Sequence, residues 1–375
     1  MKEFIYADNA ATTKLDIDAF EAMKPFLLEE YGNASQPYSF GRSAQKALKN
    51  ARAQIAECIG ALPEEIYFTS GGTESNNWVI KSSALSDPRK RPMITSEIEH
   101  HALLHSCAAI ERSGYPVVYL PVNSFGEVSA DRLRETLSDN TRLVSIMFSN
   151  NEIGTIQPIK ELAEISHSSG ALFHTDAVQA VGHVKIDVRT LGVDFLSASA
   201  HKFNGPKGTG FLYIRKGVDL LPYADGGKQE YGLRAGTENV AGIVGMAVAL
   251  EKNCKEVDVH SEHLRELESR LLTQLDGRID YIRNGGVNRI PGNISLSFRN
   301  VEGEALLHRL DLMRICISTG SACDSVNTQI SHVLKAINLD ESYAKGTIRI
   351  SLGKHNTVDE VDAIARALIK IIGKS

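Results

Sequence analysis

Lys202 stands in Ser199-Ala200-His201-Lys202, with Asn204-Gly205-Pro206 behind it. An amine held on cramped backbone beside hydroxyls and an imidazole suits a Schiff base with an aldehyde cofactor. Such a cofactor needs a partner for its ring and a cup for its phosphate. Asp176 follows the apolar run 171–175. A carboxylate at the end of a buried strand is costly unless paired, and a protonated pyridine nitrogen would pair it. The plain alternative is an N-cap for the next segment. Gln179, one turn on, can donate to a phenolic oxygen or simply face solvent. Ser70-Gly71-Gly72-Thr73-Glu74-Ser75 separates an expected strand from an expected helix. Glycines there let backbone N–H groups converge on an anion, and Thr73 and Ser75 add hydroxyls, although a simple N-cap is the competing reading. Together these residues point to pyridoxal phosphate.

Other candidates surround this set. His100 and His101 fall between an expected strand and helix, where an imidazole can stack on a ring and move protons. Asn150 and Asn151 follow another expected strand. Arg349, in Thr347-Ile348-Arg349-Ile350-Ser351, can hold a carboxylate bidentately or make a structural ion pair; Arg234 is equally conspicuous. The five cysteines are odd in number and contain no Cys-x-x-Cys, which disfavours a disulfide scaffold or zinc site and fits a reducing cytoplasm. Cys58, Cys107 and Cys316 read as buried small hydrophobes, and Cys254 as incidental. Cys323 lies in the Gly/Ser/Ala stretch 318–325, where a thiol should be mobile and exposed.

These residues need a scaffold. Short runs at 65–69, 92–95, 117–120, 143–148, 171–175, 194–198 and 210–214 read as strands. Helical runs at 40–59, 74–84, 102–112, 130–137 and 159–168 alternate with them. Such alternation predicts an α/β fold whose mostly parallel sheet is flanked by helices, with ligands at the strands' C-terminal ends. After a helix at 237–253 the texture changes to a smaller α+β unit. Its expected helices are 261–275, 303–310 and 358–372, and its strands 293–298, 314–318 and 346–352. We divide the 375 residues into a large domain, 14–255, and a smaller one formed by 1–13 and 256–375. The net charge of −5 argues against direct nucleic-acid binding. No apolar run approaches the roughly eighteen residues of a membrane span.

The joint order of these motifs resembles the cysteine desulfurases of the NifS/IscS-like group, within the class-V aminotransferases of fold type I. The resemblance rests on Tyr6-Ala7-Asp8-Asn9-Ala10-Ala11-Thr12-Thr13, Thr69–Asn77, Asn150-Asn151-Glu152-Ile153-Gly154, Asp176-Ala177-Val178-Gln179, Ser199–Lys202, Arg234–Asn239 and Gly320-Ser321-Ala322-Cys323. It implies that Lys202 bonds the cofactor aldehyde, Asp176 pairs the pyridine nitrogen and Gln179 the phenolic oxygen. His100 would stack on the ring. Gly72, Thr73, Ser199 and His201 would hold the phosphate, and Thr237 would reach the phosphate of a neighbouring subunit, making a homodimer. Asn151 and Arg349 would hold the substrate carboxylate. Cys323 would take sulfur from L-cysteine and pass it to an acceptor protein. No resident metal is implied, and Cys323 would be at most a transient cluster ligand. Selenocysteine lyase and aminotransferase activity are the neighbouring alternatives. The chain departs from the group's common pattern at Thr319, Asp324, Gln329-Ile330 and Asp225–Tyr231.

Overall fold

The computed structural model describes residues 4–319 and 330–373. Seven strands form the large sheet: β2 (Ile66–Thr69), β3 (Met93–Ser96), β4 (Val117–Leu120), β5 (Leu143–Ser145), β6 (Leu172–Asp176), β7 (Phe195–Ser199) and β8 (Gly210–Ile214). Their order is β2-β8-β7-β6-β5-β3-β4. The pairs from β7 to β4 are parallel, and β8 runs antiparallel to both of its neighbours.

The strands read as continuous apolar runs because both faces are covered. Alternate residues go to opposite layers. Val144, Phe173, Leu196 and Phe211 pack with α2 (Arg42–Cys58) and the helix Val240–Lys255. Leu143, Phe195 and Leu212 pack with Trp78 and Val79 of α3 (Gly72–Leu85) and Leu103 of α4 (His101–Arg112). His174 clamps the sheet's centre. Its ring bonds Ser145 Oγ on β5 at 2.7 Å and Ser197 Oγ on β7 at 3.0 Å. Burial lowers this imidazole to about 3, so it stays neutral there. Two residues on, the same strand delivers Asp176 to the sheet's C-terminal edge.

A second core joins Ala7 with Leu264, Leu296, Ile348, Ile350 and Leu368. Over it lies an antiparallel sheet ordered β12 (Ser318–Thr319), β13 (Thr347–Ser351), β10 (Asn293–Phe298), β9 (Tyr281–Arg283). The closing helix Val358–Ile372 begins with a capping box, Thr357 with Glu360, and buries Val361, Ile364, Ala365, Leu368 and Ile371. That spacing makes one apolar face, and each large side chain in it contributes about 1.5–3 kcal/mol. Val333, Leu334 and Ile337 instead pack on Ile98, Met147 and Ile153, against the large sheet's edge.

Three elements differ from the sequence expectation. The run 314–318 divides: Ile315–Cys316 (β11) pairs in parallel with β1 (Ile5–Tyr6), and β12 pairs with β13, so one stretch bridges two sheets. The run 143–148 is assigned as strand only to Ser145: Ile146 and Phe148 N–H still bond the carbonyls of His174 and Asp176 at 3.0 and 2.8 Å, but Met147 N–H turns to the Glu99 carboxyl at 2.9 Å. Helix α1 (Ile17–Leu28) forms although Pro25 lies inside it. That proline breaks the helical signal in the sequence.

Candidate active site

A cavity of about 570 Å³ opens at the C-terminal edge of the large sheet. Gly72, Thr73, His100, Asn151, Asp176, Gln179, Ser199, His201, Lys202 and Arg349 all line it, so residues far apart in sequence share one chamber. Ala10, Ala11 and Thr12 of the N-terminal segment close one wall.

Lys202 ends a short turn, Ala200–Lys202, directly after β7. Its Nζ donates to the carbonyls of Ala10 at 2.6 Å and Ala11 at 2.8 Å. The turn is braced from behind: His183 Nε2 donates to the Lys202 carbonyl at 2.9 Å, and Asn253 Nδ2 to that of Phe203 at 2.8 Å. Gly205 is required here, since a Cβ would sit 2.8 Å from the Ala200 Cβ.

Asp176 is buried and accepts from Asn76 Nδ2 at 2.6 Å and from Val178 N–H at 3.0 Å. The sequence placed Asn76 in the candidate cup, 70–77, but gave it no role of its own; its bond to Asp176 comes from the fold. Gln179 Nε2 donates to the Ala10 carbonyl at 3.0 Å. His100 caps α4, its Nδ1 accepting from Ala102 N–H at 3.1 Å, which leaves the proton of the neutral ring on Nε2. Burial lowers the His100 ring, with Asp176 pulling upward and Lys202 downward. His201 falls to about 4, chiefly through burial and then through Lys202.

Arg349 is 4% exposed. It donates to Asp8 Oδ1 at 2.7 Å and to the Asn151 carbonyl at 3.0 Å, while its Nε has no partner among the described residues. Asp8 is the second residue whose role sequence reasoning missed. Arg234 lies apart from these, paired with Glu74 at 2.8 Å on the first turn of α3. Thr237 does not line the cavity and is exposed. Cys323 lies outside the described residues. Among the described residues no cluster of three or more His, Cys, Asp or Glu is placed to hold a metal ion, and no helix is long and apolar enough to cross a membrane.

The chamber fits pyridoxal phosphate. The N–H groups of Gly72, Thr73 and Glu74 open α3 without backbone partners, as an anion cup requires. Gly72 approaches Val178 so closely that a Cβ would stand 2.4 Å from its Cγ2. Ser149 Oγ and Asn76 Oδ1 are buried at the cavity without partners among the described residues. A mostly parallel sheet with a lysine, an aspartate and an anion cup at its C-terminal edge defines a pyridoxal-phosphate enzyme of fold type I. The chain belongs to the class-V aminotransferase family, whose model matches residues 5–364. It is 49% identical over 377 aligned residues to a cysteine desulfurase IscS of Dictyoglomus turgidum, covering 100% of this chain and 96% of that one. A solved NifS-like protein superposes with a TM-score of 0.94 at 40% identity, covering 99% and 100% of the two chains. A structure described as SspA in complex with cysteine gives 0.85 at 36% identity, covering 94% and 100%.

Proposed function

We propose that this protein is a cysteine desulfurase, converting L-cysteine to L-alanine while Cys323 becomes a persulfide. The observation that carries the reading is near-half identity, end to end, with a protein of that name. A single chamber that gathers Lys202, Asp176, His100 and Arg349 supports it. Bound pyridoxal phosphate supplies an electrophilic aldehyde carbon and a ring that withdraws electrons from the substrate's α-carbon.

The chain's own residues do the rest. Arg349 offers its unpartnered Nε and its two bonded amines to the substrate carboxylate, and Asp8 and the Asn151 carbonyl fix its plane. Lys202 Nζ takes the α-proton, held in reach by the carbonyls of Ala10 and Ala11. Asp176, steadied by Asn76, would pair with the pyridine nitrogen of the bound cofactor. His100 presents its Nε2–H at the cavity and handles protons there. The Cys323 thiolate attacks the substrate sulfur; a new S–S bond forms, the C–S bond breaks, and its electron pair passes to the carbon skeleton that becomes alanine.

The reading extends to partners. A persulfide must be handed on, so we infer a protein acceptor serving iron–sulfur cluster assembly or thio-modification. We also infer a homodimer and a cytoplasmic setting, where thiols stay reduced. The test is to incubate the holoenzyme with L-cysteine and count products. One alanine should form per sulfur removed, and persulfide should map to Cys323. Cys323→Ala should lose sulfide release. Alanine production that needs a keto acid and ignores that substitution would instead mean an aminotransferase.

A further inference from the structure

The N-terminal segment runs as a strap from β13 to the lysine turn. At its first end, Ser351 N–H donates to the Ala7 carbonyl at 2.8 Å, Asn9 N–H to the Ser351 carbonyl at 3.0 Å and Ala10 N–H to the Ser351 Oγ at 2.9 Å. At its far end, Thr13 N–H and hydroxyl both donate to the His201 carbonyl, at 2.9 and 2.8 Å, and Thr13 Oγ1 accepts from Asn204 N–H at 2.8 Å. Between these ends the strap holds site residues in turn. Asp8 holds Arg349, and the carbonyls of Ala10 and Ala11 hold Lys202.

Thr12 is the next residue along. It lines the cavity, and its Oγ1 lies 3.1 Å from His201 Nδ1. Nε2 is the other polar atom of that ring, on a side chain that lines the same cavity as Gly72 and Thr73. A neutral imidazole carries one proton. With the proton on Nδ1, the ring donates to Thr12 and its Nε2 lone pair repels an anion. With the Thr12 hydroxyl donating to Nδ1, the proton sits on Nε2 and the ring becomes an anion donor. An imidazolium with both protons is opposed by burial, then by the charges of Lys202 and Lys207. A phosphate monoester at neutral pH is close to a dianion whose oxygens accept hydrogen bonds, so it needs the second arrangement.

We propose that Thr12 is a positioning residue for the cofactor phosphate: its hydroxyl donates to His201 Nδ1 and so makes His201 present Nε2–H to the phosphate oxygens. Thr13 fixes the backbone of His201 and Thr12 fixes the proton on its ring, so two adjacent hydroxyls divide the work. The inference rests on the reading that pyridoxal phosphate fills the chamber with its phosphate at His201.

The test is a double-mutant cycle on pyridoxal-phosphate affinity, followed by absorbance as stripped protein is retitrated with cofactor. Thr12→Val keeps the shape and loses the hydroxyl; it should weaken binding about tenfold, the order of one hydrogen bond to a charged group. Thr12→Ser should bind as the wild type does. In a His201→Ala background, Thr12→Val should cost nothing more. Pyridoxal, which lacks the phosphate, should bind the wild type and Thr12→Val alike. In wild-type holoenzyme with 15N-labelled histidine, the His201 signal, assigned by its loss in His201→Ala, should report a proton on Nε2. Independent losses in the cycle, a Thr12→Ser protein as weak as Thr12→Val, or an equal loss of pyridoxal affinity overturns the role. So does a proton on Nδ1 in the wild-type spectrum, which decides alone if Thr12→Val fails to fold. A His201→Ala protein with wild-type affinity, or a wild type that takes up no cofactor, overturns the underlying reading and the role with it.

Discussion

Glu99 is a buried carboxyl that does not line the cavity yet feels the charge of Asp176 within it. Its Oε1 accepts from Ser96 Oγ at 2.6 Å and from Met147 N–H at 2.9 Å, and its carbonyl accepts from His332 Nε2 at 3.0 Å. Oε2 is buried with no partner among the described residues. Burial pushes this carboxyl from 4.5 up to about 8; the two hydrogen bonds oppose the rise, and the Asp176 charge adds to it. The folded chain thus keeps a proton that the unfolded chain loses between pH 4.5 and about 8. The stabilising contribution is complete below that window, declines as pH rises through it, by at most about 1.4 kcal/mol per pH unit, and is gone above it. Glu99→Gln keeps an acceptor for Ser96 and Met147 but has no proton to lose. Denaturant midpoints of the holoenzyme should therefore fall more steeply from pH 5 to pH 8 in the wild type than in the variant. Equal slopes would mean that Glu99 is already ionised in the folded protein.

At the scale of elements, the anion cup depends on how closely α3 meets the segment after β6. Gly72 touches Val178, whose β-branched side chain has little room to turn. Gly72→Ala should push α3 off this segment, displace the Gly72 and Thr73 N–H groups and weaken pyridoxal-phosphate affinity by about tenfold or more, an effect of the order of one lost charge-assisted hydrogen bond. Val178→Ala in the same chain should restore most of the loss, as followed by cofactor titration. A double variant as weak as the single would remove the contact as the cause. In the sequence this cup was only a Gly-Gly-Thr between a strand and a helix, which a plain N-cap explains as well; the fold adds its place at the cavity. Strands β4, β8 and β10 were legible to the residue, since their apolar runs end at turns. The braces were not. Asn76 to Asp176, Asp8 to Arg349 and Asn253 to Phe203 join residues 100, 341 and 50 positions apart, and no local pattern encodes such pairings. Helix α1 was hidden by Pro25, and β9 by its three-residue length.

The whole molecule leaves a surface that one chain does not cover. Ile17, Phe20, Leu27 and Leu28 of α1 are exposed, together with Tyr31, Tyr38 and Phe40 just after it. Exposed large apolar residues grouped along one segment ordinarily mark an interface. Ser35 within it bonds Glu238 Oε1 at 3.5 Å, so the surface runs up to the residue beside Thr237. The segment before Thr237 is held in place by two ion pairs, Arg52 with Glu230 at 2.7 Å and Arg234 with Glu74 at 2.8 Å. Thr237 is exposed on this braced segment and does not line the cavity. In the proposed homodimer, Thr237 is the residue that would reach the partner's anion cup. The arrangement predicts complementation between two inactive proteins. Lys202→Ala lacks the essential amine, and Thr237→Glu sets a carboxylate against the phosphate that it should reach. Each homodimer should fail to make alanine from cysteine. A heterodimer carrying one of each, purified through two different tags, should hold one site with both changes and one with neither, and should recover roughly half of the wild-type rate. Recovery requires that Thr237 act across the interface. An inactive heterodimer would mean that Thr237 acts within its own subunit, and a Thr237→Glu homodimer with normal cofactor affinity and rate would place Thr237 outside the site altogether.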